Sequence, residues 1–124
     1  MAKTVKERFE KYYVTNKGRM GHLLNNARQR SKRHGVKCTL TPEWIMERLE
    51  KGTCEITGLP FVMKINGGRG HNKNSWSPSI DRIDQKGDYS PVNCRMIVWI
   101  LNRARGAFPD EDFAKLLTAL QRNR

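Results

Sequence analysis

The chain has 124 residues, with 24 lysines and arginines against 12 aspartates and glutamates, a formal net charge of +12. That length fits one small basic domain, able to hide about two thirds of its unfolded surface around a single core, and excludes two large domains. No apolar run approaches the roughly 20 residues of a membrane span, and the opening MAKTVKERFEKYY lacks a signal peptide's apolar segment, so no membrane partner and a cytoplasmic location are expected.

The charge is concentrated at the start. Residues 1–37 hold eleven lysines and arginines against Glu7 and Glu10, a net of +9, which leaves +3 for residues 38–124. Leu23, Leu24 and Ala27 share one face of a helix predicted from about Gly18 to His34, with Arg28, Arg30, Lys32 and Arg33 on its other surfaces and Gly35 as its stop. Thr41-Pro42-Glu43 reads as a second start: a hydroxyl cap, proline at the first helical position and an acid against the dipole. Trp44, Ile45 and Leu49 give that helix its buried side, and Gly52 closes it.

Cys54-Glu55-Ile56-Thr57-Gly58-Leu59-Pro60-Phe61 then predicts a hairpin that turns at Thr57-Gly58 and returns through Val62. Residues 66–77, with three glycines and the polar run His71, Asn72, Lys73, Asn74, predict a loop. Ser79 to Asp84 reads as a half-buried strand, and Lys86-Gly87-Asp88-Tyr89 as a turn. From Asn93 the apolar positions Met96, Ile97, Ile100, Leu101 and Ala104 recur at helical spacing until Gly106. A last helix is predicted from Pro109-Asp110-Glu111, with Phe113, Leu116, Leu117 and Leu120 as a core stripe. The fold class is therefore α+β, a single domain with a basic helical lead-in (1–52), a core (53–106) and a C-terminal helix (107–124).

So basic a chain favours a polyanionic partner, because neutralising phosphates releases condensed counterions, and nucleic acid leads. Cys38, Cys54 and Cys94 are odd in number and form no CxxC pair, so they read as reduced core thiols and no structural zinc is expected. The chemistry concentrates between Ser79 and Gly106. Asp81 closes the predicted strand, Asn93 stands at the following turn, and Asn102 lies nine residues further on, where a helix could bring it back to the strand end. A carboxylate and a carboxamide suit a hard divalent ion that takes further ligands from water and phosphate.

The segments SPSIDRID, KGDYSPVN and IVWILNRARG resemble the HNH, or ββα-metal (His-Me finger), nucleases of the phage type. The resemblance implies a small ββα core, a magnesium ion (with manganese as substitute) held by Asp81 and Asn102, and a loop fixed by Asn93. It also implies double-stranded DNA as substrate, cut by nicking or on both strands to leave 5′-phosphate and 3′-hydroxyl ends. The usual pattern has a histidine directly after the ligand aspartate, and here that position is Arg82, which stays protonated and cannot accept water's proton. A variant with Asp-Arg, then Tyr, then Asn matches Tyr89 and Asn102. Tyr89 is the first candidate base, assisted by Arg82, with His71, Asp84 or bulk hydroxide as alternatives. Arg82, Lys73, Arg103 and Arg105 would contact phosphates along with the basic helix, the chain acting as monomer or weak homodimer. The rival expectation is a degenerate HNH-fold module that binds nucleic acid without cutting it; a basic RNA-binding protein ranks last, since no aromatic stacking platform is visible.

Overall fold

A computed structural model describes residues 4–65 and 73–123. Three helices lead: α1 (Val5–Tyr13), α2 (Asn16–His34) and α3 (Pro42–Lys51). Each starts on a threonine outside its first turn. The hydroxyls of Thr4, Thr15 and Thr41 accept from the amides of Glu7, Gly18 and Trp44 at 3.1, 3.0 and 3.1 Å, covering donors that have no intrahelical acceptor. Gly35 (φ 68°) and Gly52 (φ 75°) end α2 and α3 in the left-handed region. The α1–α2 corner depends on Gly18, where a Cβ would stand 2.0 Å from the carbonyl oxygen of Tyr12.

Two short strands follow, β1 (Pro78–Arg82) and β2 (Cys94–Val98), antiparallel with Asp81 opposite Arg95, and then α4 (Trp99–Arg105) and α5 (Asp110–Arg122). Leu23, Leu24 and Ala27 of α2 pack with Ile45 and Leu49 of α3 and with Leu40, Tyr89, Cys94 and Met96 in the main core. Cys54, Ile97 and Val98 form a smaller cluster behind β2. The architecture is the expected α+β, a two-stranded sheet running into a helix.

Three expectations need correction. The hairpin from Cys54 is a tight turn closed by one bridge between Thr53 and Pro60, with the Cys54 amide donating to Leu59 at 2.8 Å and Gly58 to Cys54 at 2.9 Å. Its pairing partner lies elsewhere, since the Glu55 amide donates to the Met96 carbonyl at 3.0 Å. The helix expected from Asn93 begins only at Trp99: Cys94–Val98 is a strand because four of its five residues are buried, making an apolar run whose period does not separate strand from helix. Finally, α5 forms where predicted but buries none of its residues, so its stripe is not part of the core. Of the predicted 66–77 loop, residues 66–72, His71 among them, lie outside the described residues.

Candidate active site

The sheet leads directly into α4, which folds Asn102 back over β1. Its Nδ2 donates to Ser79 Oγ at 2.6 Å and to the Ile80 carbonyl at 3.2 Å, so helix and strand end meet one residue before Asp81. Asn93 ties the intervening loop to the sheet. Its Oδ1 accepts from the Asp84 amide at 2.9 Å, and its Nδ2 donates to the carbonyls of Asp84 (3.0 Å) and Asp88 (2.9 Å). Gly87 is required beside it, since a Cβ there would stand 2.7 Å from Asn93 Nδ2.

Asp81 is fully buried and its carboxylate is taken. Oδ2 accepts from Arg95 Nε at 2.8 Å, Oδ1 accepts from an Nη of Arg105, and both arginines reach on to Asp110 at the start of α5. Arg95 grips Asp110 through two hydrogen bonds of 2.9 and 2.8 Å. These bonds raise the pKa of Arg95 above its usual value and hold the Asp110 carboxyl below the usual carboxylate range. Arg105, expected on phosphate, is itself buried and donates to the carbonyls of Arg82 and Phe108, each at 2.8 Å.

An ion shared by Asp81 and Asn102 does not fit this donor set as it stands. It would have to take a fully buried carboxylate from two guanidiniums, and no group of three or more histidine, cysteine or acidic side chains among the described residues is placed to hold a metal. Arg82 also faces inward, donating to the Gly87 carbonyl at 2.9 Å and lying 4.5 Å over the Tyr89 ring. Tyr89 is buried, its backbone paired with Lys37 and Thr39, and it borders a small pocket with Asn26, Arg30, Lys73 and Ser79.

Those last four residues also line a larger cavity of about 530 Å³ beside it. Three elements wall this cavity: His22, Asn26 and Arg30 sit one turn apart on α2, Ser79 lies on β1, and Trp99, Asn102 and Arg103 come from α4. Tyr13, Lys73, Gln85 and Gly106 complete the lining, which among the described residues contains three cationic side chains and no carboxylate. Lys73 feels the crowding, its pKa lowered by burial and then by Arg30, Arg19 and Arg103. Like charges held this close favour an anion between them.

Two buried donors have no hydrogen-bond acceptor among the described residues: the hydroxyl of Tyr13, which lines the cavity, and Nη1 of Arg19, which lies behind the Tyr13 ring and outside the lining. Arg19 is wholly buried, its guanidinium 3.8 Å from the Tyr13 ring centroid and, among the described residues, bonded to the carbonyls of Tyr13 (3.3 Å) and Met63 (2.8 Å) and to no carboxylate. Burial raises the Tyr13 pKa, which keeps its phenol a donor. His22 packs edge-on to Tyr13 with ring centroids 5.0 Å apart. Burial, then Lys73 and Arg19, lower its pKa, so at neutral pH it is an uncharged imidazole able to take a proton.

The structure thus brings Asn102, Arg30, Lys73 and Arg103 to one cavity, with Tyr89 at its neighbour. Asp81, Arg82 and Arg105 point into the protein, and Arg28, Lys32 and Arg33 are exposed on α2 outside the cavity lining. Tyr13, Arg19 and His22 were absent from the sequence-based candidates. The one available signal was the i, i+4, i+8 series His22, Asn26, Arg30, a polar stripe beside the leucine stripe of the same helix.

No family model and no curated protein matches the chain. Among solved structures, the rare-cutting HNH restriction endonuclease PacI, studied for its perturbation of DNA, aligns with probability 1.00 and a TM-score of 0.60 at 20% identity, covering 84% of this chain and 78% of that one. The chain therefore has an HNH-like fold.

Proposed function

We propose that this chain is an HNH-type endonuclease that hydrolyses DNA phosphodiester bonds in the α2–β1–α4 cavity. One observation carries the proposal: a cavity lined, among the described residues, by three cations and no acid, with the unpaired buried hydroxyl of Tyr13 on its wall, lies where Asn102 of α4 meets the sheet in an HNH-like fold. A phosphodiester supplies the anionic oxygens that these donors lack. Arg30, Lys73 and Arg103 would neutralise its charge as it grows in the transition state, and Asn102 would orient it. Water attacks phosphorus as His22 accepts its proton; the bond from phosphorus to the 3′ oxygen breaks, and that oxygen takes a proton from solvent, leaving 5′-phosphate and 3′-hydroxyl ends. HNH nucleases generally use a divalent ion, and magnesium, with manganese as substitute, is proposed for this chain on that ground alone.

The test is conversion of supercoiled plasmid by the purified protein with magnesium, with manganese and with EDTA. Relaxed or linear product is expected with either metal, and its absence in all three would defeat the proposal. The engagement of both Asp81 oxygens favours a second reading, a module of the same fold that binds DNA without cutting it. It predicts salt-sensitive plasmid retardation with no product under any condition.

A further inference from the structure

Among the described residues, α5 presents a row of exposed large apolar side chains on one helix. Its side chains Phe113, Leu116, Leu117 and Leu120 fall at i, i+3, i+4 and i+7, one face of a helix, yet none is buried, and Leu116, Leu117 and Leu120 are 53%, 44% and 58% exposed. Phe108, just before the helix, is 66% exposed. Between α4 and α5 runs an apolar groove of about 200 Å³, lined by Ala104, Phe108, Asp112, Phe113 and Leu116. A contiguous apolar face on so charged a chain marks a surface that another surface covers.

We infer that the occupant is a second copy of this chain, its α5 laid antiparallel on the first. The stripe reads the same in both directions: its steps are three, one and three residues, so reversal sets Phe113 against Leu120 and Leu116 against Leu117. Leu120 of the second copy then falls at the Phe113 end, where the groove opens. Charge supports the same direction. Beyond Asp110, which its own chain's arginines hold, the first turn of α5 keeps Glu111 and Asp112 acidic and its last turn is basic (Arg122), so antiparallel copies bring opposite ends, and opposite helix dipoles, together. Residues 110–122 carry three acids against Lys115 and Arg122, a net of −1 on a chain of +12, so two copies repel less here than across α2.

The test is sedimentation equilibrium of the full chain over a wide concentration range, in high salt to strip bound nucleic acid. Wild type is expected to double in mass as concentration rises. Leu116→Lys and Leu117→Lys, both at exposed positions, should stay monomeric, with melting that matches wild type at concentrations low enough for wild type to be monomeric. A wild type that remains monomeric throughout, or a dimer that survives both substitutions, would overturn the inference. The readout is mass and not cleavage, so its failure leaves the proposed nuclease untouched.

Discussion

At the residue scale, Asp81 decides how the molecule must be probed. Its carboxylate neutralises two arginines that are largely out of solvent, so Asp81→Ala would leave Arg95 and Arg105 beside an empty site. Breaking a buried pair by removing one partner costs about 3–5 kcal/mol, and thermal melting should show a loss of that order. Any fall in cleavage by that variant would then report unfolding as much as chemistry. Asp110 adds a pH dependence. Its folded pKa is depressed by Arg95 and Arg105, so its contribution is present above the ordinary carboxylate pKa near 4 and is lost as pH falls through the lower folded value. Melting temperature should drop over that acid range, and less so in Asp110→Asn.

His22 makes the opposite kind of prediction. Its pKa is lowered, so kcat/KM should rise with pH only up to a point below about 6.5 and be flat through neutrality. A rate still climbing well above neutrality would move the proton acceptor away from His22. The placing of Asn93 at the loop and of Asn102 back against the strand was legible because each bonds within a short stretch of chain. Tyr13, Arg19 and His22 were not, since their environment is made by packing α1 and α2 against residues some fifty positions away, and no local pattern encodes that.

At the scale of elements, the signals that proved sound were the local ones. Thr41 and Gly52 bounded α3 because capping and left-handed backbone are properties of single residues. The failure at Cys94–Val98 has the converse cause: a short apolar run carries no period, and only pairing with β1 makes it a strand. The stripe of α5 was placed on one helix face but wrongly assigned to the core, because periodicity identifies a face without saying what covers it. Gly18 belongs to this scale too. Gly18→Ala forces a methyl group into the Tyr12 carbonyl and should separate α1 from α2, costing at least the 1–3 kcal/mol typical of overpacking. Because α1 brings Tyr13 to the cavity, the same variant should weaken DNA binding; unchanged melting and binding would contradict the corner's role.

Across the whole molecule, charge and fold divide the labour. The basic helix α2 contributes Arg30 to the cavity and carries exposed Arg28, Lys32 and Arg33 outside its lining. DNA affinity should fall steeply with salt, by a log–log slope of about −0.9 per phosphate engaged, and Arg28→Ala should reduce that slope by about one contact if it grips the backbone. An unchanged slope would place the DNA elsewhere. No described helix is long and apolar enough to cross a membrane. The overall α+β class and its HNH-like core were readable from motif order, because the ββα unit is contiguous in sequence. The cavity was not, since α2 supplies one wall from the opposite end of the chain.

The most direct measurement of the central claim is plasmid cleavage by wild type, Asn102→Ala and His22→Gln under one metal condition, with DNA binding and melting recorded for each. Wild type should nick the plasmid, while His22→Gln should bind and melt normally yet cleave about 10²-fold slower or worse, the scale of a lost positioned acid–base group. Asn102→Ala, which also leaves Ser79 Oγ and the Ile80 carbonyl without their donor, should melt lower and cleave more slowly while still folded. Cleavage by His22→Gln and Asn102→Ala at the wild-type rate would contradict the account and move the chemistry out of this cavity.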